Sequence, residues 1–225
     1  MEELTTLGRF RGLRGEVVLR RRGTGDDAVD ELIVNGTFAM DSSETTSERQ
    51  LARLAYDLGP AGGRLLVGGL GLGYTASEAL TLPVGEVVVV ELEDGLVRWA
   101  LDGLTPLLAN LARDPRVHLV SGDVAEVLAE AAHGFFDAIA LDIDNGPDFL
   151  IHQENSSVYT PEFLRLAYQR LAPGGRLAIW CQGPAPELLA ALRSVGGRAQ
   201  QHLYKVQRGR RRFSYAIYTL DRKLT

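Results

Sequence analysis

Two carboxylates leave the end of one apolar segment together. The segment is Ala140-Leu-Asp-Ile-Asp-Asn-Gly-Pro147, in which Asp142 and Asp144 would share a face if the extended backbone continued that far. A close pair of carboxylates is unfavourable unless a cation or a hydrogen-bond donor meets it, so this pair is the first candidate for a catalytic site. Asn145 could add an amide oxygen that accepts a hydrogen bond from a bound amine. The alternative is that residues 144–147 only form a turn, for which their types are well suited.

A glycine-rich turn is the second chemical feature. It lies in Leu66-Val-Gly-Gly-Leu-Gly-Leu-Gly-Tyr74, after a strand-like apolar segment and before a helical one. Glycine lets the backbone turn tightly and approach a ligand closely at a helix N-terminus. We therefore predict that a cofactor binds at this turn, through Gly68, Gly69, Gly71 and Gly73.

Two further carboxylates follow the next two apolar segments. Glu91 lies roughly 20 residues after the glycine turn, where a carboxylate can accept hydrogen bonds from both hydroxyls of a ribose. Asp123 is placed to accept one from an adenine amino group, and each carboxylate could instead cap a helix or lie in a solvated loop. NAD is an alternative ligand because Gly71–Ala76 also fits a relaxed dinucleotide fingerprint. Asp123 has no role in that fingerprint and the chain has little room for a substrate domain, so an S-adenosylmethionine-type nucleoside is favoured.

Segments with strand and helix character alternate through the middle of the chain. After a helix over Leu51–Leu58, we predict strands at Arg64–Val67, Glu86–Glu91, Val117–Val120, Phe136–Leu141 and Arg176–Cys181, separated by helices at Tyr74–Leu80, Leu96–Leu111, Val124–Ala132 and Pro161–Leu171. This alternation indicates an α/β fold with a doubly wound, mostly parallel Rossmann-like sheet. Such sheets bind ligands at the carboxyl ends of their strands, where the carboxylates and glycines named above are expected to meet.

Shorter strands are predicted at both ends of the chain. Gly15–Arg20 and Glu31–Phe38 indicate a small N-terminal β-hairpin region, with turn-forming residues between them. After a helix at Pro186–Val195, the segments His202–Val206 and Phe213–Leu220 predict a closing antiparallel hairpin. We therefore predict a small N-terminal β region at 1–45 and a nucleoside-binding catalytic domain at 46–225.

Composition narrows the function classes. The 225-residue chain has a net charge of −5, with basic ends and an acidic middle that would repel a nucleic-acid backbone. The histidines share no metal-binding spacing, so no metal site is expected. The single cysteine fits a reducing compartment, no apolar run is long enough to span a membrane, and the first residues do not resemble a signal peptide. We therefore expect a cytoplasmic protein.

Several short segments together resemble spermidine synthases, the polyamine aminopropyltransferases within the class I S-adenosylmethionine-dependent methyltransferase fold superfamily. The segments are Val67-Gly-Gly-Leu-Gly-Leu-Gly73, Val90-Glu-Leu-Glu93, Asp114-Pro-Arg-Val117, Gly122-Asp123, Phe136-Asp-Ala-Ile139 with Asp142, Tyr159-Thr-Pro-Glu-Phe163, and Leu171-Ala-Pro-Gly-Gly175 through Gln182. The resemblance implies that Glu91 binds the ribose, that Asp123 binds the adenine and that Asp142 is a general base. It also implies a role in polyamine biosynthesis and a homodimer.

The chain departs from that family around the amine-binding part of the site. Gly71 stands where the family's glycine loop usually has an aspartate, and residues 142–147 replace an Asp-Ser-Ser-Asp-Pro box. Ala39, Ser47 and Glu48 fall near the places of a glutamine and a Tyr-His pair. The leading hypothesis is a transferase that alkylates an amine with a sulfonium nucleoside, either S-adenosylmethionine or its decarboxylated form, with Asp142 as base and with Asp144 and Asn145 orienting the amine. The alternatives are a small-molecule methyltransferase that uses S-adenosylmethionine and a non-catalytic nucleoside-binding protein.

Overall fold

The structure, a computed structural model, describes residues 3–12, 14–147, 150, 153–208 and 211–224. Its strands are β1 (Leu4–Gly12), β2 (Gly15–Arg22), β3 (Val29–Val34), β4 (Thr37–Asp41), β5 (Gly63–Gly68), β6 (Val84–Glu91), β7 (Val117–Ser121), β8 (Phe136–Leu141), β9 (Leu171–Cys181), β10 (Arg198–Arg208) and β11 (Arg211–Asp221). Its α-helices are α1 (Thr46–Tyr56), α2 (Tyr74–Ala79), α3 (Asp94–Leu101), α4 (Pro106–Arg113), α5 (Val124–Glu130), α6 (Pro161–Arg170) and α7 (Pro186–Val195), with 3₁₀ turns at Gly25–Asp27 and Gln153–Tyr159. No helix within the described ranges is long and apolar enough to cross a membrane.

The larger sheet has seven strands in the order β10-β11-β9-β8-β5-β6-β7. Strands β5 to β9 are parallel, and β11 pairs antiparallel with β9 and with β10. The chain moves outward from β5 first through β6 and β7 and later through β8 and β9, so the order reverses between β5 and β8. The predicted doubly wound sheet with a C-terminal antiparallel hairpin is therefore confirmed. The edge at which sheets of this kind bind ligands lies at the carboxyl ends of β5 and β8.

Alternate residues of the central strands supply two cores, one on each face of the sheet. Leu65 and Val67 of β5 pack with α1, α2, α3, α4 and the N-terminal strands, whereas Leu66 packs with α5, α6 and α7. Burial of β5 on both faces explains its continuous apolar sequence. The same division holds in β8, where Ala140 faces the first core and Leu141 faces the second.

The N-terminal region is a four-stranded antiparallel sheet in the order β1-β2-β3-β4, so the predicted two-stranded hairpin is part of a larger sheet. The prediction of one continuous strand over Glu31–Phe38 was wrong. The chain turns at Asn35 and Gly36, whose φ angles are +51° and +75°. An Asn-Gly pair with both residues at positive φ is the usual two-residue hairpin turn, because its twist matches that of the flanking strands. The boundary proposed after residue 45 falls between β4 and α1.

The single helix predicted over Leu96–Leu111 was also wrong, because the chain forms two helices there. α3 ends at Leu101 and α4 begins at Pro106. Gly103 has a φ angle of +72°, and the hydroxyl of Thr105 accepts a hydrogen bond at 3.3 Å from the amide of Leu108. A capping threonine followed by proline at the first helical position is a helix start, which explains the break.

Candidate active site

A cavity of about 590 Å³ lies between the N-terminal sheet and the carboxyl edge of the large sheet. Its wall is formed by β3, β4 and the start of α1 on one side and by the loops after β5, β6, β7 and β8 on the other. Seven of the nine sequence-predicted site residues line it, namely Gly69, Gly71, Glu91, Asp123, Asp142, Asp144 and Asn145. Gly68 and Gly73 do not line it.

The glycine turn packs tightly against its neighbours. Gly69 has a φ of +93°, and a Cβ atom there would lie 2.0 Å from the carbonyl oxygen of Asp142. Gly71 has a φ of +50°, and a Cβ there would lie 2.8 Å from the sulfur of Met40 on β4. The Cβ positions of Gly68 and Gly73 would instead meet the buried side chains of Leu141 and Leu111, at 3.0 and 2.6 Å. The first two glycines thus shape the cavity wall, and the other two permit close packing behind it.

Glu91 is held at the end of β6 by backbone amides. Its side chain is 7% exposed and accepts hydrogen bonds from the amides of Leu70, at 2.7 Å, and Glu93, at 2.8 Å. Burial raises the pKa of Glu91, and the hydrogen bonds from these amides oppose that effect. Each carboxylate oxygen has a second lone pair, so the same group can also accept hydrogen bonds from a ligand in the cavity.

Asp123 caps α5 and also faces the cavity. Its Oδ1 atom accepts a hydrogen bond at 2.7 Å from the amide of Ala125. The preceding residue, Gly122, donates its amide hydrogen to the carbonyl of Glu91 at 2.9 Å. The helix cap that we considered as an alternative is therefore present, and it positions the Asp123 carboxylate at the cavity wall rather than competing with a ligand role.

The two carboxylates after β8 have different surroundings. Asp142 accepts a hydrogen bond from the Thr75 hydroxyl at 2.6 Å, and burial raises the pKa of Asp142 to about 6. Asp144 is 5% exposed and accepts hydrogen bonds from the side-chain amide of Asn155, at 2.8 Å, and from the backbone amide of Asn145, at 2.7 Å. Asp144 thus connects the β8 loop to the 3₁₀ turn at Gln153–Tyr159, whereas Asp142 faces α2 and the cavity.

Glu48 is a further carboxylate in the cavity wall, and it is not among the site residues predicted from the sequence. It lies in the first turn of α1, is 8% exposed, and accepts a hydrogen bond from the Ser47 hydroxyl at 2.7 Å. Burial, and next the charge of Asp142, raise the pKa of Glu48 to about 7, against the opposing Ser47 hydrogen bond. The sequence does contain a signal, because Glu48 is three residues before Leu51 and seven before Ala55 on the apolar face of the helix.

Carboxylates dominate the charge of the cavity. Among the described residues, eight acidic side chains line it and Arg14 is the single basic one. The acidic residues are Asp41, Glu44, Glu48, Glu91, Glu93, Asp123, Asp142 and Asp144. The Oε1 atom of Glu93 is buried and has no hydrogen-bond partner within the described part of the chain. A cavity of this composition attracts cationic ligands and repels anionic ones.

An aromatic wall closes one side of the cavity. The rings of Trp180 and Tyr215 have centroids 5.1 Å apart, and Phe213 contacts Tyr215 at the same centroid distance. All three residues line the cavity, and aromatic faces favour both aliphatic chains and cations. In the described ranges no three His, Cys, Asp or Glu side chains group as a metal-binding cluster, and His152 lies outside the described residues.

Comparisons with known proteins agree on one family. The sequence profile described as the spermine/spermidine synthase domain matches residues 47–195. A polyamine aminopropyltransferase of Mycobacterium tuberculosis is 31% identical over 191 residues, which are 80% of this chain and 35% of that protein. Putrescine N-methyltransferase 4 of Nicotiana tabacum is 34% identical over 114 residues, which are 49% of this chain and 27% of that enzyme. The chain therefore spans about a third of the length of the curated relatives that it matches.

Solved structures show the same fold. A spermidine synthase in complex with the transition-state analogue AdoDATO superposes with a TM-score of 0.80 at 17% identity, over 98% of this chain and 75% of that one. At this level of identity the similarity concerns the fold, and the superposition covers the N-terminal sheet as well as the large sheet.

Proposed function

We propose that this chain, which belongs to the spermine/spermidine synthase family, is a transferase that alkylates an amine with the aminopropyl group of decarboxylated S-adenosylmethionine. The observation that carries the proposal is the charge of the cavity, where eight carboxylates face one arginine within the described part of the chain. Both substrates of such a transfer are cations, since the donor has a sulfonium and an ammonium group and the acceptor is an ammonium. The intact donor has an additional carboxylate, which this cavity would repel.

The nucleoside is expected to bind along the loops after β5, β6 and β7. Glu91 would accept hydrogen bonds from the ribose hydroxyls, because its oxygens are already oriented by the Leu70 and Glu93 amides. Asp123 would accept one from the adenine amino group. The turn at Gly69 and Gly71 would leave room for the sulfonium end of the donor to approach Asp142.

The chemical step requires a base more than an acid. An amine substrate arrives as an ammonium with an ordinary pKa near 10, and it must lose a proton before its lone pair can attack. Asp142 would accept that proton. The nitrogen then forms a bond to the carbon attached to the sulfonium sulfur, and the carbon–sulfur bond breaks. The electron pair of the broken bond stays on the sulfur, which becomes a neutral thioether. Because the leaving group is neutral, the protein does not have to protonate it or supply a metal ion. Asp144 and Asn145 would orient the amine from the β8 loop.

A methyltransferase that uses intact S-adenosylmethionine is the second candidate. It is supported by Gly71, because the aspartate that the family usually has there would repel the carboxylate of intact S-adenosylmethionine. In this chain the sulfur of Met40 occupies the space that such a side chain would need. The similarity to a putrescine N-methyltransferase is in keeping with this alternative. Both candidates place an amine acceptor next to Asp142. The homodimer implied by the family stays a prediction.

Calorimetric titration with decarboxylated S-adenosylmethionine, intact S-adenosylmethionine and methylthioadenosine tests the proposal. We expect the decarboxylated donor to bind most tightly, and mass spectrometry to detect aminopropyl transfer to putrescine or spermidine. The Asp142→Asn variant should bind the nucleoside as the wild type does while its turnover falls by about 10²–10⁴-fold. Tighter binding of intact S-adenosylmethionine would favour the methyltransferase, and binding of none of the three would refute the nucleoside site.

A further inference from the structure

Two carboxyl groups from distant parts of the chain line the same cavity. Glu48 comes from α1 and Asp142 from the end of β8, and the hydroxyl of Thr75 on α2 lies between their segments. The Thr75 Oγ1 atom is 2.6 Å from Oδ2 of Asp142 and 3.3 Å from the carbonyl oxygen of Glu48. Thr75 is 3% exposed, so this contact fixes the start of α1 against the β8 loop.

The basic side chain nearest to Glu48 in the sequence is directed elsewhere. Arg49 donates a hydrogen bond to Glu78 at 3.1 Å, and its guanidinium lies 5.3 Å from the ring centroid of Tyr74. The Arg53 guanidinium binds the same Glu78 carboxylate at 2.8 Å. Neither arginine lines the cavity, so neither neutralises Glu48 there.

Among the described residues, Arg14 is the single basic side chain in the cavity wall, and the titratable groups near the two carboxyls include acidic and phenolic ones. Glu44, one turn before Glu48, and Asp144, two residues after Asp142, add negative charge to the same wall. Tyr74 and Tyr159 interact electrostatically with Glu48 and Asp142, respectively, and burial raises the pKa of both tyrosines, so they stay neutral near pH 7. The pair therefore needs either a proton or a bound cation to offset its charge.

We propose that Glu48 and Asp142 form one proton-sharing carboxyl pair, and that Glu48 is a second proton-accepting residue for the acceptor ammonium. This inference rests on the proposed alkyl transfer to an amine. In the free protein the pair holds a proton in place of a cation. When the acceptor binds, its ammonium group replaces that proton, which leaves to solvent.

The chemical step then uses the carboxyl groups of both Glu48 and Asp142. The ammonium gives one N–H proton to the dianionic pair, the pair returns to its singly protonated form, and the free amine attacks the carbon next to the sulfonium. That proton stays on the pair when the alkylated ammonium and the thioether leave, so the pair is again in the singly protonated form of the free protein, and the one proton released in each turnover is the proton lost when the acceptor binds. Either carboxyl group of the pair can take up the proton. The ammonium can therefore lose its proton without having to lie next to one particular oxygen atom.

The protonation behaviour of the two groups agrees with this arrangement. Burial, followed by the charge of Asp142, raises the pKa of Glu48, and burial raises the pKa of Asp142 in spite of the Thr75 hydrogen bond. Both changes favour a retained proton near neutral pH. In interacting sites of this kind the titration belongs to the pair rather than to either residue.

The first experiment needs no substrate. Carbon-13 NMR of selectively labelled glutamate side chains, with Glu48→Gln used for assignment, follows the titration of the Glu48 carboxyl in the free protein. We expect it to titrate near pH 7 in the wild type and at a clearly lower pH in Asp142→Asn, where the neighbouring charge is absent. Titration near the ordinary glutamate value in the wild type, or no response to Asp142→Asn, would overturn the pair.

The second experiment measures proton release and turnover. Calorimetry of putrescine binding in buffers of different ionisation enthalpy should show about one proton released by the wild type and fewer by Glu48→Gln. We also expect Glu48→Gln to lower kcat by at least about tenfold, and the double variant with Asp142→Asn to be no slower than the slower single variant. The control is Glu162→Gln, whose side chain is 78% exposed on α6 and outside the cavity.

The outcomes separate the two proposals. If the wild type transfers no group to any amine, the proposed function fails while the NMR titration still decides whether the pair exists. If the wild type is active and Glu48→Gln matches it in kcat, in proton release and in the pH profile of kcat/KM, the role of Glu48 is refuted and the proposed function stands. A variant that loses only stability, with kcat and proton release unchanged, refutes that role in the same way.

Discussion

Replacing Glu48 by glutamine should stabilise the free protein at alkaline pH. The Glu48 carboxyl has a pKa of about 7 in the folded chain, against an ordinary value of 4.5 that describes it when unfolded. A raised pKa means that the folded state binds the proton more tightly than the unfolded state does. The stability that this difference contributes is therefore complete below pH 4.5 and is lost as the pH rises through about 7.

The size of the effect follows from the difference between the two pKa values. At about 1.4 kcal/mol for each unit of pKa, ionised Glu48 lowers the free energy of unfolding by on the order of 3 kcal/mol at pH 8. Glutamine has nearly the same shape and can still accept the Ser47 hydrogen bond through its amide oxygen, but it does not ionise. Glu48→Gln should thus be close to the wild type at pH 4.5 and more stable by up to that amount at pH 8.

Urea unfolding at these two pH values, followed by circular dichroism, measures the difference directly. The m-values of wild type and variant should agree, because the buried surface is unchanged. Glu162→Gln, with its exposed side chain, should show no pH-dependent gain. An equal difference at both pH values, or a Glu48→Gln variant that is less stable than the wild type at pH 8, would refute the reasoning.

Three further substitutions test other parts of the cavity wall. Gly71→Asp should lower the free energy of unfolding by about 1–3 kcal/mol, because the backbone φ is +50° and the new Cβ would lie 2.8 Å from the sulfur of Met40. Urea unfolding measures this loss, and adding Met40→Ala should restore part of the lost stability. Asp123→Asn should keep the cap of α5 and its stability, whereas Asp123→Ala should cost about 1 kcal/mol, and calorimetry should show weaker nucleoside binding in both. Glu91→Gln should place a side-chain NH₂ group against the backbone amide of Leu70 or Glu93, so one hydrogen bond is lost and the free energy of unfolding falls by about 1–3 kcal/mol. The same variant should bind the nucleoside more weakly, and unchanged affinity would contradict the role of Glu91.

The parallel sheet could be predicted from the sequence because each of its central strands is buried on both faces. The run Glu86–Glu91 is continuously apolar between its ends, and its neighbours are separated by helices with clear apolar faces. β1 was not predicted, since most residues of Leu4–Gly12 are exposed or half-buried and give no apolar alternation. The turn at Asn35-Gly36 and the helix start at Thr105-Pro106 could have been read from their residue types, and the apolar runs around them concealed both.

The residues of the candidate site could likewise be predicted only in part. Glu91 ends a strand, Asp123 comes two residues after one and Asp142 follows one directly, so the rule for ligand positions in α/β sheets was sufficient to select them as candidates. Glu48 reaches the cavity because α1 packs against α2 and the β8 loop, a tertiary contact between residues far apart in the chain. Sequence patterning could place Glu48 on the apolar face of α1, but it could not show that Glu48 and Asp142 line the same cavity.

The two sides of the cavity belong to different sheets, so a substitution on one side need not disturb the backbone of the other. The proposed nucleoside side depends on main-chain hydrogen bonds of the large sheet, such as that from the Gly69 amide to the Val90 carbonyl at 2.8 Å, and a change there disturbs the sheet itself. Met40 and Glu48 belong to elements outside the large sheet: Met40 lies on β4, which pairs with β3, and Glu48 lies in α1, where its carbonyl accepts a hydrogen bond from the Thr75 hydroxyl. Substitutions within residues 38–48 can thus change one side of the cavity while the main-chain hydrogen bonds of the large sheet stay as they are. Under the proposed function, a change of acceptor would require substitutions in that stretch only, without a new way of holding the donor.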